Sequence, residues 1–166
     1  MTELICNFCS KKLSDHTYAE SLDCAMKLTE ADARIFLTEG LMSADIEDHE
    51  EAIENYDKAL EVVESAEIYL NKAISLAELE RFEEALECYD KATALEPNDS
   101  LLWYNKGVVL TDLERFDDAI INYEKAISIQ PDYADAWYNK AELLKHQGLE
   151  DEANNCFNKV KEIEGN

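Results

Sequence analysis

Apolar residues recur along this chain with a helical period. Trp103, Gly107 and Leu110 fall at i, i+4 and i+7, one face of a helix. Phe116, Ala119, Ile120, Tyr123, Ala126 and Ile127 trace a second face, with polar residues between them. Leu113-Glu114-Arg115 alone separates the two, and so short a connection predicts antiparallel neighbours. Asp117 and Asp118 open the second helix, where carboxylates suit the positive end of its dipole. Gly107 and Ala119 are small among large neighbours, which predicts close approach of two helices there. Pro131 stands where the second helix must stop.

The whole pattern then repeats. Pro97 and Pro131 are 34 positions apart, and the same step carries Tyr69 to Trp103 to Trp137, Asn71 to Asn105 to Asn139, and Lys72 to Lys106 to Lys140. Residues 79–85 recur as residues 113–119, and residues 89–92 as residues 123–126. A fixed period of this size is the signature of a stacked array. Each helix pair cannot bury both of its faces alone, so stacking supplies the core.

Trp103, Lys106-Gly107, Leu110, Ala119, Tyr123, Ala126 and Pro131 resemble the tetratricopeptide repeat pattern, with Lys106 standing for its Leu and Leu110 for its Tyr. The resemblance implies an all-α, right-handed superhelical solenoid of antiparallel helix pairs, with first helices lining a concave groove and second helices on the convex back. The phase places repeats at 33–65, 66–99, 100–133 and 134–166. The first is one residue short, and its closing loop, Val63-Glu64-Ser65, has no proline. Tyr18, Leu22 and Ala25 keep the second-helix spacing, so residues 1–32 are expected to form a degenerate helix pair, with residues 16–28 as its second helix.

Four Gly and two Pro in 166 residues are too few turn formers for an all-β protein. Asp and Glu total 38 against 15 Lys and Arg, a net charge of −23 that repels nucleic acid and anionic membranes. The chain has neither a membrane-length apolar run nor the features of a signal peptide, which predicts a cytoplasmic protein. Residues 33–99 hold 14 of the 23 net negative charges, a field that would steer a cationic partner.

Five cysteines leave one candidate for metal chemistry. Cys6 and Cys9 form a Cys-x-x-Cys pair followed by His16 and Cys24, four soft ligands of the kind that hold tetrahedral zinc. The alternative is that Cys6 and Cys9 lie one turn apart on a buried helix face as small hydrophobes. The acidic run from Asp45 to Glu51 lacks the glycine and the ligand series of a calcium loop. The four glycines are isolated, so no phosphate loop can be written, and His16, His49 and His146 sit in no acid–base or nucleophile pattern. Catalysis has no residue to attach to, and no cofactor is expected unless zinc binds.

The resemblance implies partner contacts on the groove face of the first helices. Counting from each aromatic anchor gives Leu37 and Leu41; Leu70, Asn71 and Ile74; Tyr104, Asn105 and Val108; and Tyr138, Asn139 and Glu142. An apolar track with an amide ladder suits a peptide or protein segment, basic or apolar in character. The expected function is therefore a non-enzymatic interaction scaffold, with a zinc-binding regulatory protein as the alternative. In the last pair, Ala153, Phe157 and Val160 face inward and the rest of the helix is polar, a built-in cap. A monomer is expected, with end-to-end dimerisation through Trp137, Leu143, Leu144 and Leu149 as the alternative.

Overall fold

The computed structural model describes residues 18–165, with side chains from Glu30 onward. Eight helices and no strand occur among the described residues. They are α1 (Tyr18–Asp45), α2 (His49–Val62), α3 (Ala66–Glu78), α4 (Phe82–Leu95), α5 (Ser100–Asp112), α6 (Phe116–Ile129), α7 (Ala134–His146) and α8 (Glu150–Glu164). Each packs on the next in chain order, most closely within the pairs α1–α2, α3–α4, α5–α6 and α7–α8. None is long and apolar enough to cross a membrane.

Within each pair one contact recurs. A small residue of the first helix faces an aromatic ring of the second: Gly40 with Tyr56, Gly107 with Tyr123, and at the corresponding positions Ala73 with Tyr89 and Ala141 with Phe157. A Cβ added at Gly40 would come within 2.5 Å of the Tyr56 ring, and one at Gly107 within 2.6 Å of the Tyr123 ring. Tyr56, Tyr89, Tyr123, Ala73 and Ala141 are fully buried. The spacing of small and aromatic positions thus fixes how closely the two helices approach.

The turns inside the pairs share a second device. Glu47, Glu80, Glu114 and Gly148 occupy corresponding positions, and all have positive φ, between 57° and 80°. In each turn the next residue donates its N–H back across the helix end: Asp48 to Ser43, Arg81 to Leu76, Arg115 to Leu110 and Leu149 to Leu144, at 2.8–2.9 Å. These bonds close the helix carbonyls in Schellman fashion. Three of the four turns place a glutamate in a conformation that glycine adopts without strain.

Between pairs the loops are pinned by the aromatic anchors. The indole N–H of Trp103 donates to the Pro97 carbonyl at 3.0 Å, and that of Trp137 to the Pro131 carbonyl at 2.9 Å. In the unit entered without a proline, the Tyr69 hydroxyl instead donates to Glu64 at 3.2 Å. The lysines standing for the family leucine also gain an explanation. Lys72 pairs with Asp57, Lys106 with Asp90 and Lys140 with Glu124, each reaching back to the preceding unit's second helix. Their side chains are only 16–19% exposed, and the ammonium groups of Lys106 and Lys140 lie 5.8 and 6.0 Å from the Trp103 and Trp137 ring centres. The stem is packed and the charge is paired.

Two expectations differ from what is observed. A turn was expected between residues 16–28 and a new first helix at 33, yet Tyr18–Asp45 is one unbroken helix. Residues 29–35 contain neither proline nor glycine, so nothing there stops the helix. At the other end, Ala153 and Val160 are buried as expected, but Cys156 is more buried than Phe157. Leu143 and Leu144 are covered within the array, whereas Leu149 remains exposed.

Gly107→Leu is expected to destabilise the protein by about 1–3 kcal/mol through overpacking against Tyr123. Gly107→Ala should cost less, because Ala73 and Ala141 already fill the same position. A thermal melt of the Leu variant that overlays wild type would refute this helix crossing. Glu114→Gly relieves a left-handed non-glycine residue and should stabilise by about 1 kcal/mol in urea unfolding.

Candidate binding groove

The first helices present side chains in register, one set per unit. Leu41, Ile74 and Val108 form an apolar line, followed in the fourth unit by Glu142. Four residues on, one helical turn further along the same face, stand Asp45, Glu78 and Asp112, followed by His146. The apolar and acidic lines therefore run side by side across α1, α3 and α5, and both lose their character on α7. Leu41 and Ile74 are 37% and 39% exposed, high for aliphatic side chains in register on one face.

Two cavities connect these lines. One of about 740 Å³ lies between α1 and α3, lined by Leu41, Asp45, His49, Tyr56, Ile74 and Glu78 among others. One of about 400 Å³ lies between α3 and α5. Both are bounded by Ile74 and Glu78, so the two cavities adjoin, one on each side of those α3 side chains. In the larger one the His49 ring nitrogen lies 3.4 Å from the Ser75 hydroxyl, and Tyr56 lines the same cavity. Burial raises the Tyr56 phenol above its usual range, and the nearby Ser75 hydroxyl opposes that. Ser75 is fully buried, so this serine–histidine pair holds the groove floor and offers no open nucleophile.

The predicted groove residues divide into groups. Leu41, Asn71, Ile74, Asn105 and Val108 line the two cavities. Tyr138 and Glu142 are exposed on α7, with Tyr138 edge-on to Phe157 at 5.7 Å. Leu37 and Leu70 are half-buried against the packed clusters. Tyr104 is wedged between pairs, 4.9 Å from the Tyr133 ring centre and 5.9 Å from that of Tyr123. The amide ladder is partly consumed internally: Asn71 donates to the Glu67 carbonyl at 2.8 Å and Asn139 to the Tyr104 hydroxyl at 3.2 Å. The Asn105 amide makes no hydrogen bond among the described residues. Ser75, Tyr56 and Tyr89 also line these cavities, and none of them stands at a groove offset from an aromatic anchor. For the two tyrosines the sequence signal is an aromatic opposite each small residue.

Cys6, Cys9 and His16 lie outside the described residues, and Cys24 is described only as backbone of α1. Among the described residues no three His, Cys, Asp or Glu side chains are placed to share a metal ion. Cys88 and Cys156 are buried free thiols, and burial raises the pKa of both. On the convex side, a recess of about 360 Å³ between α4 and α6 contains Lys106 and Arg115, but Asp90 and Asp118 already pair them.

Family models described as the tetratricopeptide repeat match residues 37–100, 70–133 and 122–153. No curated protein sequence matches the chain. Among solved structures, MamA is similar at 28% identity, over 89% of this chain and 88% of that one, with a TM-score of 0.78. YrrB, a TPR protein with an unusual peptide-binding site, is similar at 23% identity, over 87% and 75%, with a TM-score of 0.72. The TPR domain of OM64 from Arabidopsis is similar at 20% identity, over 71% and 98%, with a TM-score of 0.68.

The tyrosine cluster behind the groove sets an alkaline limit. Burial, then Tyr104, Asp135 and Asp99, push the Tyr133 phenol up to about 12, and burial also raises Tyr104 and Tyr123. A phenol raised in the folded state contributes stability that is complete below the unfolded value of about 10 and lost above it. The melting temperature should hold to about pH 10 and fall between pH 10 and 12, with a shallower fall in Tyr133→Phe.

Proposed function

The chain belongs to the tetratricopeptide repeat family, and from that we propose that it is a non-enzymatic interaction module of the cytoplasm that docks a peptide or protein segment in its concave groove. The observation that carries this reading is the pair of adjoining cavities between α1 and α3 and between α3 and α5, with Leu41 and Ile74 exposed in register beside them. Exposed aliphatic side chains aligned on one face gain free energy when covered, about 25 cal/mol per Å² of apolar surface. A bound segment satisfies them without any change in the array. The flanking carboxylates and the net charge of −23 favour a segment that is apolar and basic, and disfavour nucleic acid.

Selection from a displayed peptide library tests this. Peptides recovered on wild type should lose at least about tenfold in affinity on Leu41→Ser with Ile74→Ser, since two apolar contacts of about 1 kcal/mol or more are removed. They should bind normally to Ile121→Ser, whose parent side chain is 62% exposed on a second helix. Peptides that lose affinity only on the Ile121 variant would place the binding face on the convex back.

A further inference from the structure

We infer that the cavity between α3 and α5 is an anchor pocket for a lysine or arginine side chain of the bound segment. This rests on the groove reading above and names the chemistry of one position within it.

One tyrosine of this cavity lacks a partner. Tyr89 is 2% exposed and lines this cavity, yet its hydroxyl makes no hydrogen bond among the described residues. Buried hydroxyls are normally satisfied. At the corresponding position of the next pair, the Tyr123 hydroxyl obeys that rule, 3.0 Å from the Thr111 hydroxyl. The counterpart of Thr111 in the Tyr89 unit is Ala77, which also lines the cavity. With Ala77 there, and Val109 where Ser75 stands one unit earlier, no side chain partners the phenol and the space beside it is open.

The surroundings specify what enters that space. Glu78, Glu80 and Asp112 line it, and none of them takes part in an ion pair among the described residues. The lysines nearest in sequence are committed elsewhere, Lys72 to Asp57 and Lys106 to Asp90. Burial raises the Asp112 carboxyl above its ordinary value, as expected of a carboxylate short of compensation. Asn105 adds an amide oxygen with no internal partner. Burial raises the Tyr89 phenol and keeps it neutral, so its oxygen can accept. The polar groups can all accept, and three of them are anionic, set against Ile74, Ala77 and Val108. A long side chain with an aliphatic stem and a cationic, donor-rich head matches both halves. A carboxylate or phosphate would meet three like charges and is disfavoured.

The probe is a short fluorescein-labelled peptide of alternating valine and serine with one central arginine, read by anisotropy. Its companions replace that arginine with lysine or with citrulline, the neutral isostere. On wild type, the arginine and lysine peptides should bind about tenfold more tightly than the citrulline peptide. Glu78→Gln with Asp112→Asn should remove that preference while leaving the helical signal unchanged. Ala77→Thr restores the missing partner of Tyr89, and it should weaken the arginine peptide several-fold without lowering the melting temperature. Equal binding of arginine and citrulline peptides, or a preference that survives the double variant, overturns the anchor. The groove reading then survives if Leu41→Ser with Ile74→Ser still abolishes binding. If no peptide binds wild type up to about millimolar concentration, the anchor falls, and the groove reading rests on the library selection alone.

Discussion

The structure depends on one contact repeated along the chain, a side chain of one carbon or none in the first helix against an aromatic ring in the second. Gly40, Ala73, Gly107 and Ala141 each supply the small partner, and Tyr56, Tyr89, Tyr123 and Phe157 the ring. The contact sets the separation within each pair, and the separation sets which positions of the first helix remain on the surface. Because it recurs with nearly constant period, those surface positions come into register from unit to unit. The groove is therefore a by-product of the core. Residues four apart on a first helix stack along it, and so a sequence that alternates an aliphatic with a carboxylate at that spacing produces two parallel lines across the array.

The tyrosines serve both layers. Their rings fill the helix crossing and their hydroxyls reach the groove floor, where Thr111 meets that of Tyr123 and Ser75 lies near that of Tyr56. Beside Tyr89 both of those positions are apolar, Ala77 and Val109, and the floor is left open with no effect on the crossing itself. Binding specificity can vary here at positions that barely touch stability, because the ring and the hydroxyl of one residue answer to different neighbours.

Much of this was legible in the sequence, because the information lay in spacing. The period gave the pairs, the short turns gave antiparallel packing, and the small residues marked the crossings. What was not legible lay in contacts between units. Tyr104 reads as a groove residue from its position beside Trp103, but it is wedged against Tyr133 of the next unit's approach. Lys106 departs from the family pattern, and only the fold shows its ammonium carried across to Asp90. The continuity of α1 through residues 29–35 was masked by the expectation of another repeat boundary, although that segment lacks any helix breaker. Asn71 and Asn139 each spend one amide N–H inside the array, on the Glu67 carbonyl and the Tyr104 hydroxyl, which spacing alone does not reveal.

The lysine–carboxylate pairs between units have a further consequence. The units at 66–99 and 100–133 each carry a lysine toward the unit before, Lys72 or Lys106, and an acid toward the unit after, Asp90 or Glu124. The first unit carries Glu39 where the lysine would stand, and the fourth carries Asn158 where the acid would stand. The array thus has a grammar of one opening cassette, interchangeable middle cassettes and one closing cassette. Duplicating a middle cassette, whether by unequal recombination or by hand, preserves every ionic joint and lengthens the groove by one aliphatic–acid step. Duplicating either end leaves a joint unmatched, so growth by whole middle cassettes is the route the chemistry leaves open.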